Sequence, residues 1–169
     1  MLDKALRVGL ALAVMLPCQL RAAPRVGDSA PKVTAVTLDG AAFDLSRLRG
    51  HVVVVNLWAT WCGPCRAEMP ALDAVYRRLH GQGLEMIGLS EDRPRDVAKV
   101  RAVMAAFGYP AATADKTRAD QLADPPSLPM TYLIDRAGKV RAVLSGNPPL
   151  TEASLRGALA GPLAETPPR

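Results

Sequence analysis

The stretch "HVVVVNLWATWCGPC", His51 to Cys65, constrains the fold more than any other part of the chain. Four consecutive valines run into Asn56, Leu57 and Trp58 with no alternation of polar and apolar residues. A strand of that kind is buried on both faces, which places it in the interior of a sheet and favours parallel neighbours. Past the cysteines, Met69, Leu72, Val75, Tyr76 and Leu79 recur at helical spacing, and Gly81 and Gly83 close the segment. Leu84 to Leu89 is a second apolar strand. Strand, helix and strand in this order form a βαβ unit with a right-handed crossover. A pair of cysteines therefore stands where a central strand passes into a helix.

The flanking segments read as further elements of one α/β layer structure. Val33 to Leu38 and Ala41 to Phe43, with Asp39-Gly40 between them, predict a hairpin on a two-residue turn. Val97, Val100, Val103, Met104 and Phe107 give an amphipathic helix, with Pro94 suited to its first turn and Gly108 to its end. Ala111 to Ala114 is a short strand candidate and Thr117 to Ala123 a helix candidate. Met130–Ile134 and Val140–Leu144 predict two strands joined by a hairpin loop, Asp135 to Gly138, with the glycine left-handed. After Pro148 and Pro149, Thr151 is placed to cap a last helix carrying Leu155, Leu159 and Leu163. Residues 166–169 read as a frayed tail.

At 169 residues, 49% apolar and 22% charged, the composition is that of a globular chain of about one domain. Residues 1–22 have the pattern of an export signal: Lys4 and Arg7, then an unbroken apolar run from Val8 to Leu16, then small residues at Ala22 and Ala23. A retained membrane anchor is the alternative, yet a spanning helix needs about 20 apolar residues and Pro17 interrupts this run. Lipid attachment at Cys18 is a third option, disfavoured by the proline before it. The net charge is +5; taking away 1–22 removes three basic residues and one acidic residue and leaves +3. No basic run with interleaved aromatics occurs, which argues against nucleic-acid binding.

Of three cysteines, Cys18 lies in the signal-like segment, so the remainder holds the single pair Cys62 and Cys65. A helix N-terminus favours a thiolate, because free backbone N–H groups and the helix dipole stabilise an anion. Pro64 suits the first helical turn, and Cys65 lies one turn inward of Cys62. The spacing thus supplies an attacking thiol and a resolving thiol in one motif. A closed zinc site would need two more ligands. The two histidines are better explained otherwise: His51 opens the buried strand, and His80 sits in the last turn of a helix, where a cation is favoured. A bridge over two residues constrains the unfolded chain little, which weakens a purely structural role.

The motif "WATWCGPCRAEMP" resembles the active site of the thioredoxin superfamily, and the chain from about Val26 to Leu163 is similar to its TlpA/ResA/CcmG-like exported thiol–disulfide oxidoreductases. That resemblance implies a thioredoxin fold over 23–165: an α/β fold with a central mixed sheet flanked by helices, an N-terminal β-hairpin and a central strand–helix insert around Pro94 to Asp124. It assigns Cys62 and Cys65 as the redox pair. It gives Pro129 a cis peptide facing that pair, and Trp61, Gly63, Pro64, Leu128 and Pro129 a part in holding the partner chain. Pro70 matches the superfamily's helix kink. Two features set the chain apart from ordinary thioredoxin. Asn56 stands where that protein has a buried aspartate, and Glu68 stands three after the second cysteine, where it accepts a proton from Cys65 or tunes both thiols. Its alternative is a plain helix-dipole role. Ser127 and Pro125 depart from the branch's own pattern and stiffen the loop before Pro129.

What the resemblance implies is a periplasmic protein-disulfide reductase, monomeric, with no metal and no cofactor beyond the Cys62–Cys65 disulfide. Expected partners are disulfide-bearing exported proteins such as apocytochrome c or copper-site proteins, and a membrane electron donor of the DsbD/CcdA kind. Two rivals use the same thiols: a DsbA-like oxidant, and a Cu(I) chaperone for which Met130 is the nearest soft ligand. Nothing resembles a peroxidatic Thr-x-x-Cys loop.

Overall fold

A computed structural model describes residues 23–119, 121–122 and 125–167. The signal-like segment 1–22, the last residues of the tail and part of the loop before Pro129 lie outside them. In chain order come β1 (Thr34–Val36), β2 (Ala42–Asp44), β3 (Val52–Trp58), α1 (Gly63–Leu79), β4 (Leu84–Ser90), α2 (Val97–Met104), β5 (Ala111–Thr113), β6 (Thr117–Arg118), β7 (Met130–Ile134), β8 (Val140–Leu144) and α3 (Glu152–Ala164). The main sheet has the order β5-β4-β3-β7-β8, so the valine strand is its centre. All seven residues of β3 are buried. It runs parallel to β4 and antiparallel to β7, so the sheet is mixed and only one of its neighbours is parallel.

The period of two along β3 sorts its side chains between two cores. Val52, Val54 and Trp58 pack with Met69, Leu72 and Val75 of α1, Val100 of α2 and Leu155 and Leu159 of α3. Val53, Val55 and Leu57 pack with Val33 and Ala35, Leu45, Leu122 and Met130 on the other side. A small sheet of order β2-β1-β6 contributes to that second core. The final helix begins as its sequence indicates. The Thr151 side chain accepts from Ser154 N–H, and the Ser154 hydroxyl accepts from Thr151 N–H in return.

Two local expectations are corrected. The first hairpin closes on three residues, Leu38 to Gly40: Thr37 N–H donates to Ala41 C=O and Gly40 N–H to Thr37 C=O. Gly40, at φ 91°, supplies the left-handed residue that ends such a loop. Thr117 to Ala123 does not begin as a helix. Thr117 and Arg118 form β6, paired antiparallel with Ala35 and Thr34 of β1. A weak helix propensity over so short a span is outcompeted by a strand partner already in place. No helix among the described residues is long and apolar enough to cross a membrane.

Candidate active site

β3 ends at Trp58, and the chain turns through Ala59, Thr60 and Trp61 into α1. Cys62 is the N-cap of that helix, with extended backbone at φ −86° and ψ 101°. Its sulfur accepts from Cys65 N–H at 3.2 Å, as the side chain of a capping residue does. Cys62 and Cys65 are joined by a disulfide with their Cα atoms 5.3 Å apart. Cys62 is 6% exposed and Cys65 1%, so the outer thiol is the one a partner reaches first. Trp61 beside it is 71% exposed, whereas Trp58 is core. Gly63 and Pro64 form the exposed first turn of α1.

Pro129 arrives at the same end of the sheet by a different route. It precedes β7, whose first residue Met130 pairs with Leu57 of β3. The Leu128–Pro129 peptide is cis, and Leu128 packs against both cores. Gly146 of the β8–α3 loop lies against the proline ring: a Cβ on Gly146 would stand 2.5 Å from Pro129 Cγ and 3.2 Å from Glu68 Oε1. A second cis peptide, Asn147–Pro148, follows in that loop and was not foreseen from sequence.

Glu68 is not a solvated first-turn acid. It is 1% exposed, and its Oε1 accepts from Leu150 N–H at 2.6 Å while Oε2 is buried without a protein partner. Burial pushes its carboxyl above the ordinary value, and the Leu150 N–H offsets part of that. The residue ties the cysteine helix to the loop that lies on Pro129. Asn56 faces the same side of the sheet as Trp58. Its Nδ2 donates to Thr131 Oγ1 at 2.9 Å, directly across the β3–β7 pairing, and its Oδ1 is unpaired.

A cluster that sequence reading missed stands beside the cysteine turn. Asp92, 3% exposed, accepts from Thr60 N–H at 2.8 Å and from the Thr60 hydroxyl at 2.5 Å. It also accepts from the Ser90 hydroxyl at 2.7 Å, and Glu91 N–H donates to Trp58 C=O at 2.8 Å. The only trace in the sequence is Ser90 and Asp92 where β4 leaves the sheet; nothing there points to Thr60.

Met130 packs in the core on the far side of the sheet from the cysteines. His80 Nδ1 lies 3.1 Å from Leu84 C=O, and His51 precedes β3 at its opposite end from the pair. Among the described residues no group of three or more His, Cys, Asp or Glu is placed to hold a metal ion.

The AhpC/TSA family matches residues 26–143. The thiol-disulfide oxidoreductase ResA of Bacillus cereus is 31% identical over 135 residues, covering 80% of this chain and 77% of that protein. Two solved structures from Chlorobium tepidum share the fold. One, described as a putative thiol:disulfide interchange protein DsbE, has a TM-score of 0.71 at 24% identity over 84% of this chain and all of the other. The second, a thiol:disulfide interchange protein of the thioredoxin family, has a TM-score of 0.69 at 26% identity with the same coverage. With its helix-capping Cys62, its buried partner Cys65 and this kinship, the chain belongs to the AhpC/TSA family within the thioredoxin superfamily, as a ResA-like thiol–disulfide oxidoreductase.

Proposed function

We propose that this protein works mainly as a reductant of disulfides in exported proteins, in the periplasm. The Cys62 thiolate attacks one sulfur of a partner disulfide, and the other partner sulfur leaves as a thiolate and takes a proton. Cys65, as thiolate, then attacks the Cys62 sulfur. That breaks the mixed disulfide, releases the second partner thiol and leaves Cys62–Cys65 oxidised, so two electrons have moved to the partner. The observation that carries the reading is Cys62 at the helix N-cap with Cys65 N–H directed at its sulfur. An anion on that atom meets free N–H groups and the positive end of α1.

Trp61, Gly63, Pro64, Leu128 and Pro129 form the docking surface for the partner's extended chain. Glu68 takes or returns the resolving thiol's proton. No metal or cofactor beyond the dithiol takes part. Reduction must be renewed by a membrane electron carrier of the DsbD/CcdA kind, since an exported dithiol has no cytosolic reductant at hand. Apocytochrome c and copper-site proteins are the substrate classes in view, and the protein acts as a monomer.

Equilibration with glutathione buffers, counting free thiols at Cys62 and Cys65, tests the direction. A potential near or below about −220 mV fits a reductant; one near about −120 mV would make the protein a disulfide donor and overturn the proposal.

A further inference from the structure

We infer that Asp92 is a positioning residue for the attacking thiol, acting through Thr60, an inference that rests on Cys62 being that thiol. The turn from Ala59 to Trp61 has little packing of its own at its outer end, where Trp61 is 71% exposed. Ala59 is anchored in the core, and what holds Thr60 is polar. Thr60 gives both its donors to one carboxylate, N–H to Asp92 Oδ2 and hydroxyl to Oδ1. Asp92 is held in turn by Ser90, whose hydroxyl donates to Oδ2 and accepts from Asp92 N–H. Glu91 N–H fixes the residue before the turn through Trp58 C=O, and Cys62 N–H closes it on Ala59 C=O at 3.1 Å.

A buried carboxylate bonded twice by one residue is an expensive arrangement unless its hydrogen bonds are made, and charge-assisted bonds of this kind are short and directional. The carboxylate follows the end of β4 and the nucleophile follows β3, so the contact spans 32 positions of sequence and locks two strand ends together. Its consequence falls on Cys62, two residues past Thr60. The sulfur meets Cys65 N–H only while Cys62 keeps the N-cap backbone conformation. Loosening the turn moves the sulfur off that N–H and off the helix axis.

The test compares Asp92→Asn, Thr60→Val and Thr60→Ser with the unaltered full chain, all reduced. The rate at which iodoacetamide alkylates Cys62 at neutral pH is read by tandem mass spectrometry, per folded molecule as counted by far-UV circular dichroism. This rate is measurable whether or not the protein reduces any partner, so failure of the reductase reading would show separately. Positioning requires Asp92→Asn and Thr60→Val each to slow alkylation about five-fold or more, with Thr60→Ser near the unaltered rate. If Asp92 acted only through its charge, Asp92→Asn would speed alkylation, by removing an anion near the thiolate, and Thr60→Val would change nothing. That outcome overturns the inference, as do unchanged rates in both variants. Should Asp92→Asn fail to fold, Thr60→Val against Thr60→Ser decides alone.

Discussion

The close approach of Gly146 to Pro129 yields a perturbation whose size follows from geometry. Gly146 has φ 72°, a left-handed backbone that costs a residue with a Cβ about 1–2 kcal/mol. The added atom would lie 2.5 Å from Pro129 Cγ and 2.9 Å from Cδ. A proline ring bound into the backbone at the head of β7 cannot swing aside, so either Pro129 or the β8–α3 loop must shift. Overpacking of that sort adds about 1–3 kcal/mol. Gly146→Ala is therefore expected to cost about 2–5 kcal/mol in all, the sum of those two ranges. Gly40→Ala is the matched control: φ is 91°, yet nothing lies within 4 Å of its would-be Cβ. Its loss is confined to the backbone term of about 1–2 kcal/mol.

Thermal unfolding of the oxidised variants separates the two terms. For a domain of this size 1 kcal/mol moves the midpoint by about 2–4 °C, so Gly146→Ala should melt roughly 2–12 °C below Gly40→Ala. The rate of reducing a protein disulfide should fall in Gly146→Ala and hold in Gly40→Ala, because only the first displaces the Pro129 surface. Equal midpoints and equal rates would refute the claim that this contact sets the site.

Three further outcomes are expected. The Glu68 carboxyl is held by burial above its ordinary value of 4.5, so over the pH window rising from there the folded state binds more protons than the unfolded chain. Stability should thus fall as pH rises through that window, while Glu68→Gln is flat across it; urea midpoints at a series of pH values give the slope, and a rising one contradicts the burial argument. Trp61→Ala, at a side chain 71% exposed, should leave stability within about 0.5 kcal/mol yet raise KM for a protein disulfide with little effect on a small-molecule one. Leu159→Ala, fully buried on α3, should cost about 2–5 kcal/mol in urea unfolding, and a loss under about 1 kcal/mol would mean α3 is not seated on the sheet as described.

The parts of this architecture that could be read from sequence are those governed by near neighbours. The valine run marked β3 as central because a strand with no polar face has nowhere else to go. Thr151 marked the start of α3 because a capping hydroxyl acts within three residues of itself. The cysteine spacing marked the helix N-terminus for the same reason. The errors also have local causes. At Thr117 and Arg118 propensity alone misleads, because their state is decided by β1, more than eighty positions away in the chain. The Asp39-Gly40 pair correctly located a turn but not its length, which depends on the pairing of Thr37 with Ala41.

The site was legible in its chemistry and not in its scaffolding, and the reason is topological. Cys62 and Cys65 can be recognised from residue types because reactivity resides in side chains and helix ends. What holds them comes from elsewhere: Asp92 from the end of β4, Pro129 from the head of β7, Gly146 and Leu150 from the loop before α3. These points lie at one end of the sheet because β3 and β4 run parallel and finish together while β7, antiparallel, begins there. The carboxyl ends of parallel strands gather loops from distant parts of a chain into one place, which is why binding sites form there in α/β sheets. Glu68 shows the effect most sharply. From sequence its nearest physical role is with the dipole of its own helix. In the fold its carboxylate is buried and bonded to Leu150, 82 positions on, so an acid on the cysteine helix anchors the loop lying against Pro129. Loss of that carboxylate therefore frees the loop that lies against Pro129 from the helix that carries the cysteines.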